Sequence, residues 1–226
     1  MNILAIDTAS NVCSVAVGVE SGVIFEKNIN KGLTHSELLI PMIEKVVLNA
    51  NIEKKDINMV VVANGPGSFT GIRIGVTVAN TFGQVLGIPV VGVTALDSLA
   101  IGVGSTPATI CPIIDAKGKK VYTALYKHNG GLNKISDYKL IDVEELNEYV
   151  KTNENKKLIF TGDGVLCYKD YIDVNLTNIK YEFADDNNNF QKASNLIKYV
   201  LKDKALLEVK TNFVNPFYIK KSQAEN

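Results

Sequence analysis

The run VVVANGPGSFTGIRI, residues 60–74, constrains this chain more than any other stretch. Val60, Val61, Val62 and Ala63 have the β-branched density of a strand covered on both faces, and residues 64–67 can continue neither strand nor helix without unusual backbone angles. A strand, a tight loop and a helix are therefore expected. Ser68 or Thr70 is the expected N-cap, and the free N–H groups of the first helical turn are a possible seat for an anion. Beyond the loop, small residues recur every fourth position at Gly71, Gly75, Ala79, Gly83 and Gly87. A glycine inside a helix costs roughly 1 kcal/mol against alanine, so the series implies close approach along one ridge. Two partners for that ridge stay open: the chain's own sheet, or a helix of another subunit.

The flanking sequence reads as alternating strands and helices. Residues 2–6, 12–19 and 23–29 predict an antiparallel meander, with a turn at Asp7-Thr8-Ala9-Ser10. Thr34 and Glu37 have capping-box spacing and open a helix to about Asn49, with Leu38, Leu39, Met42, Ile43, Val46 and Val47 as its apolar set. Ile40 and Leu48 lie off that set, so the helix is more apolar than one narrow stripe requires, and Pro41 should bend it or loosen its first turns. A strand at 89–93, a short helix from Thr94 and a Gly/Ser/Pro-rich hinge at 102–107 follow, dividing the chain into residues 1–104 and 105–226. Past the hinge, strands at 109–114 and 120–127 are joined by Asp115-Ala116-Lys117-Gly118. Asp142 and Glu145 cap a short helix, residues 158–161 form a strand, 189–201 form the last helix, and 213–219 read as a strand returning to the body.

Charge narrows the partners. Lys+Arg and Asp+Glu both number 24, so the chain lacks the positive field with which a stand-alone nucleic-acid binder neutralises phosphates. Arg73 is the single arginine; it suggests a fork-shaped contact, with codon usage as the plain alternative. Lys117, Lys119 and Lys120 make a small basic hairpin tip, either a solvated edge or a touch point for RNA. Three widely spaced cysteines in apolar surroundings are read as buried free thiols. The N-terminus enters a strand pattern directly and no apolar run reaches the ~20 residues needed to span a bilayer, so a cytoplasmic protein without a membrane partner is expected.

The order DTAS, THSELLIPMIEKV, ANGPGSFTGIRIG and GVTALDSLA resembles the TsaB (YeaZ) family, the small subunits of bacterial tRNA threonylcarbamoyladenosine synthesis, over the first hundred residues. It continues more thinly through IDAKGKKVYTALY, where Lys117 replaces an arginine expected in most relatives, and through NPFYIKKSQAE. The resemblance implies an α/β, two-lobed actin-like ATPase (RNase H-like) fold, its N-terminal lobe complete and its C-terminal lobe reduced. In that superfamily the opening turn approaches a nucleotide phosphate, which marks Asp7 and Thr8 as a vestigial cofactor-binding turn. It also implies a non-catalytic subunit that pairs with a larger TsaD-type transferase, works with an accessory TsaE-type ATPase and meets tRNA through the complex. Without its partner it would form a homodimer. No cofactor is required by this chain itself, with ATP or ADP possible only at the partner interface.

The residues bear on that degeneracy. The larger subunit carries two histidines at helical metal-ligand spacing, and Ala95 and Leu99 align with them here. His35 and His128 are the only histidines and stand at element ends, so no metal site is expected. Ser68 lies outside a Gly-x-Ser-x-Gly elbow, and no Gly-Lys-Ser/Thr follows the glycines. Asp7 and Asp115 read either as a carboxylate pair for metal-assisted phosphoryl transfer or as ordinary turn residues. The expected interface comprises Thr34, His35, Leu38, Leu39, Met42, Ile43, Gly71, Arg73, Gly75, Ala79 and Gly83, in two helices that would complete a four-helix contact. The alternatives are a stand-alone ATPase or kinase of the same fold, which would need Asp7, Asp115 and the Gly162-Asp163-Gly164 turn to converge on Mg-nucleotide, and a metallopeptidase.

Overall fold

A computed structural model describes residues 1–30, 35–151, 157–177 and 179–219. The chain forms two compact units, one of Met1–Ser98 with Gln191–Phe217, the other chiefly of Leu99–Phe190. The sequence reading divides the chain once, after residue 104. The chain instead returns to the first unit at Gln191, because the last long helix closes a face of the first sheet.

The first unit is built on β1 (Asn2–Asp7), β2 (Cys13–Val19), β3 (Gly22–Ile29), β4 (Ile57–Ala63) and β5 (Val90–Val93), in the order β3-β2-β1-β4-β5. The meander β1-β2-β3 is antiparallel, with Asp7 opposite Ser14, and β4 runs parallel to both β1 and β5. Helices α1 (His35–Asn49) and α2 (Phe69–Leu86) pack against this sheet. A Cβ at Gly75 of α2 would touch Ile6, whereas one at Gly18 would touch Ile197 of the late helix 193–202. Gly18 pairs with Ile3, and residues 3 and 6 of a strand point to opposite faces. The sheet is therefore covered on both sides, which accounts for the unbroken burial of Ile3–Asp7 and Met59–Ala63.

The expected elements of this unit are present, with instructive differences. Thr34, the expected N-cap of α1, lies outside the described residues. Helix α1 runs unbroken through Pro41, which sits on its exposed side. Ser68 caps α2 by accepting the Gly71 N–H at 3.2 Å, and Gly87 ends it with φ +66°, the left-handed cap that glycine adopts without strain.

A short helix, α3 (Ala95–Val103), leads into the second unit, and Thr94 accepts the Asp97 N–H at its start. The second sheet contains β6 (Thr106–Asp115), β7 (Lys120–Thr123), β8 (Tyr126–His128), β9 (Leu132–Lys134), β10 (Lys139–Asp142), β11 (Lys157–Thr161) and β12 (Lys180–Phe183), with helices α4 (Leu146–Lys151) and α5 (Asp163–Asn175). Its order is β10-β7-β6-β11-β12, with β8 also paired to β6. The expected strand at 120–127 is two strands. β7 pairs with the end of β6 and β8 with its beginning, so the chain breaks at Ala124-Leu125 to shift along the partner. Asp142 makes no side-chain cap; its carboxylate pairs with Lys120 at 2.8 Å. Helix α5 and strand β12 have no counterpart in the sequence reading. Their apolar residues Val165 and Ile172 join the core of this unit, and Tyr181 and Phe183 pack against it beside Phe160 of β11.

Helix α6 (Ala193–Lys202) starts later than expected, and α7 (Lys204–Leu207) follows it. The α6 N-terminus is held in the first unit by Ser14 Oγ, which accepts the Ala193 N–H at 2.7 Å, and by Glu26, which accepts the Ser194 N–H at 2.8 Å. Residues 211–217 do return to the body, but as an irregular segment rather than a strand. The cysteines are free, and Cys13 and Cys111 are buried, which pushes their thiols up to about 11 and about 12. Cys167, expected to be buried, is exposed on α5. No described helix is long and apolar enough to cross a membrane.

Candidate functional site

The glycines of the β4–α2 region are explained from inside the unit. A Cβ at Gly67 would stand 2.2 Å from the Ala9 carbonyl oxygen, and one at Gly71 2.0 Å from that of Thr8. One at Gly75 would meet the Thr8 hydroxyl at 2.4 Å, and one at Gly83 would meet Val90 at 2.3 Å. Ala79 is fully buried. The small ridge of α2 thus lies on the sheet and on the β1–β2 turn. Hydrogen bonds tie the same surfaces: Ser68 N–H to the Ala9 carbonyl at 2.7 Å, and the Thr8 hydroxyl to the Gly71 carbonyl at 2.8 Å.

This geometry corrects most of the expected interface. Gly71, Gly75, Ala79 and Gly83 face inward, and Leu39, Met42 and Ile43 of α1 are core residues with 1%, 2% and 1% exposure. A side chain buried in its own unit has no surface to offer a second chain. Leu38 is half-buried. His35 is half-buried and its Nε2 lies 2.7 Å from the Ser10 carbonyl; a carbonyl only accepts, so the ring N–H donates and fastens the start of α1 to the β1–β2 turn. Among the described residues of the set only Arg73 is well exposed, its guanidinium 3.8 Å above the Phe69 ring.

The outward faces of the two helices form a different site, a shallow cleft of about 480 Å³ lined by Ser36, Phe69, Thr70, Arg73, Ile74, Thr77 and Val78. Ile40, one helical turn beyond Ser36 on the same stripe, is 45% exposed, and Phe69 is 37% exposed. The signal was present in the sequence: Ile40 fell outside the inward apolar set of α1. The outward face of α2 is mildly apolar through Ile74 and Val78, four residues apart and off the glycine ridge.

The Asp7–Thr8 turn does not fit a nucleotide phosphate in this arrangement. Both residues are completely buried, the Thr8 hydroxyl is bonded to Gly71, and Asp7 Oδ1 accepts the Ala9 N–H at 3.0 Å. Asp7 Oδ2 is buried without a partner, and burial, with some repulsion from Glu26, pushes the carboxyl up to about 7. The loop's candidate anion seat is likewise filled by the Ser68 side chain and the Ala9 carbonyl.

In the second unit Asp115 and Asp163 have their own partners. Asp115 accepts from Lys117 Nζ at 2.7 Å, from the Lys117 N–H at 2.9 Å and from the Tyr168 hydroxyl at 3.0 Å. Burial pushes this carboxyl up, but the Lys117 and Tyr168 contacts outweigh it and hold the carboxyl below its usual value. Asp163 accepts the Asp115 N–H at 3.1 Å and is raised, chiefly by burial. Gly162 and Gly164 serve packing, since a Cβ on either would meet the Ile113 carbonyl at 2.4 or 2.8 Å. The basic hairpin tip is largely neutralised within the unit, by Lys117–Asp115 at 2.7 Å and Lys120–Asp142 at 2.8 Å. Ala95 and Leu99 are fully buried, and among the described residues no group of three or more His, Cys, Asp or Glu is placed to hold a metal ion.

Comparison with known proteins agrees with this architecture. The profile of a family described as TsaD, tRNA N6-adenosine threonylcarbamoyltransferase, matches residues 30–226. The chain is 33% identical over 174 residues to the tRNA threonylcarbamoyladenosine biosynthesis protein TsaB of Bacillus subtilis, covering 76% of each chain. Among solved structures, YeaZ from Pseudomonas aeruginosa superposes with a TM-score of 0.76 at 21% identity, over 96% of this chain and 99% of that one. An inorganic polyphosphate/ATP-glucomannokinase from Arthrobacter shares the fold at a TM-score of 0.55 and 10% identity, over 89% of this chain and 99% of that one. The fold is the two-lobed α/β fold of actin-like ATPases and sugar kinases.

Proposed function

The chain belongs to the tRNA N6-adenosine threonylcarbamoyltransferase family, among its TsaB proteins, and from that premise we propose that it serves tRNA threonylcarbamoyladenosine biosynthesis as a non-catalytic partner of a TsaD-type transferase subunit. The observation that carries this reading is the outward face of α1 and α2, where Phe69, Ile74 and Val78 line a cleft with Arg73 and Ile40 is exposed one turn beyond Ser36. Two helices of a partner laid on this face would complete a four-helix contact and remove its apolar atoms from water. Arg73, already stacked on Phe69, supplies a fixed charge at the centre of the contact for a carboxylate or carbonyl of the partner. In the absence of that partner the same face pairs two copies of this chain.

The buried, internally bonded Asp7 and Thr8 support the non-catalytic part of the reading, with any nucleotide held by partner residues at the shared interface. An accessory TsaE-type ATPase and the tRNA meet the complex rather than this chain alone, in keeping with its balanced charge of 24 basic and 24 acidic residues. The setting is the cytoplasm, where tRNA is modified.

The test is threonylcarbamoyl transfer to tRNA by the TsaD-type subunit, its accessory ATPase and the carbamoyl-adenylate donor, with and without this protein, alongside ATP hydrolysis by this protein alone. Transfer that depends on its addition, with no hydrolysis by the chain itself, is expected. Hydrolysis by the isolated protein with no effect on transfer overturns the proposal in favour of a kinase-like activity.

A further inference from the structure

Residues 211–217 belong to no strand or helix, yet five hydrogen bonds seat them in a groove of the first unit. The Val90 N–H of edge strand β5 donates to the Thr211 carbonyl at 2.8 Å. Asn80 of α2 uses both ends of its amide on one residue, Nδ2 to the Val214 carbonyl and Oδ1 from the Val214 N–H, each at 3.0 Å. Asn64 does the same work from the β4–α2 loop: Nδ2 donates to the Asn215 carbonyl at 3.2 Å, and its own carbonyl accepts the Phe217 N–H at 2.7 Å. All five bonds read the segment's main chain, while the Thr211, Asn212, Phe213 and Asn215 side chains stay exposed. Two glycines make room, since a Cβ at Gly65 would stand 2.3 Å from the Phe217 carbonyl oxygen and one at Gly83 2.8 Å from that of Asn212. Main-chain hydrogen bonding of an extended segment beside a sheet edge is a recurring mode by which proteins hold a peptide.

We propose that residues 211–217 are a displaceable strap whose docking on Asn80 and Asn64 fixes the β4–α2 loop, and through it the Phe69–Arg73 end of the partner-binding face. The path is continuous: Phe217 bears on Asn64 and Gly65, Gly67 and Ser68 bear on Ala9, and Ser68 begins the helix that carries Phe69 and Arg73. The strap and its hold on the loop stand on these contacts alone; the effect on partner binding rests on the function proposed above.

Hydrogen exchange on the full chain separates the two. In Asn80→Ala, the Val214 amide loses its acceptor directly, whereas the Val90, Phe217 and Ser68 amides do not touch Asn80. Loss of two hydrogen bonds should cost the strap ~10-fold or more in protection, and at all four amides together, with Leu4 and Val61 of the sheet unchanged. Val214→Pro removes the donor from the strap side without touching α2 and, with no amide of its own at 214, should lower protection at Val90, Phe217 and Ser68 together. Loss confined to Val214, or an equal loss at Leu4 and Val61, overturns the strap. With the amide pattern as expected, affinity of either variant for the TsaD-type subunit should fall severalfold; an unchanged affinity overturns the coupling to the partner face. If the native chain does not bind that subunit at all, the function proposed above fails while the amides still judge the strap.

Discussion

The inward ridge and the outward face of α2 make opposite predictions for single substitutions on one helix. In Gly71→Ala the new methyl carbon stands 2.0 Å from the Thr8 carbonyl oxygen and 3.2 Å from its carbonyl carbon. The obstacle is backbone, pinned by its place between two paired strands, so it cannot rotate away as a side chain would. Overpacking of this kind costs typically 1–3 kcal/mol and at times more; with an approach this close, ~3 kcal/mol is the expected order. For a chain of this size each kcal/mol moves the melting temperature by about 2–4 °C, so Gly71→Ala should melt roughly 6–12 °C lower by circular dichroism. Ile74→Glu lies three residues further on, half-buried at the cleft. It should leave the melting temperature within about 2 °C, because substitutions clear of the core rarely move stability by more than about 0.5 kcal/mol. Binding should respond in reverse: Ile74→Glu forfeits the remaining half of the roughly 1.5–3 kcal/mol of a full apolar burial and sets an unpaired carboxylate in the contact, a loss of about tenfold or more in affinity for the transferase subunit by calorimetry or sedimentation. A Gly71→Ala protein that melts like the native chain but no longer pairs would place the ridge at the interface and refute this reasoning.

Two further substitutions test the buried and strained sites. Asp7 is held near 7 in the folded chain against 3.8 for a free carboxyl. Below pH 3.8 folded and unfolded states are both protonated, and as pH rises towards 7 only the unfolded state gives up its proton, so this group lowers stability progressively across that window. Asp7→Asn keeps the acceptor for Ala9 and should be more stable than the native chain at pH 7–8, with the advantage shrinking towards pH 4 in urea titrations; a pH-independent difference would contradict the burial argument. Lys119 sits at φ +60° and Lys117 at φ +64°, on either side of Gly118 at +61°. A left-handed non-glycine residue costs roughly 1–2 kcal/mol, and glycine gives part of that back through unfolded-chain entropy. Lys119→Gly should therefore raise stability by up to about 1 kcal/mol, seen as a rise of a few degrees in melting temperature, and a fall would show that the Lys119 side chain has a packing role.

Much of this architecture was legible because it is written in local periodicity. The β-branched run before Asn64, the Ser68 cap, the alternation of β2 and the apolar set of α1 each depend on residues within a turn or two of one another, and each is found where expected. Helix α5 was missed for a local reason too. Its apolar residues fall on both faces, Val165 and Ile172 inward but Leu166 and Val174 outward at 53% and 77% exposure, which blurs the helical period.

By itself, the sequence determined that α2 has one bare ridge, that this ridge must lie against something close, and that the chain carries the residue pattern of its family. Only the tertiary structure decided what the ridge lies against. A glycine records the distance of its neighbour and not its identity, so the same spacing served equally for a partner helix and for the Thr8 carbonyl, 63 positions from Gly71. How residues 211–217 seat on the first unit was undecidable for a related reason. Their hydrogen bonds to Asn64 and Asn80, more than 130 residues distant, are made by main chain, and main-chain recognition leaves almost no mark on the side chains by which a sequence is read.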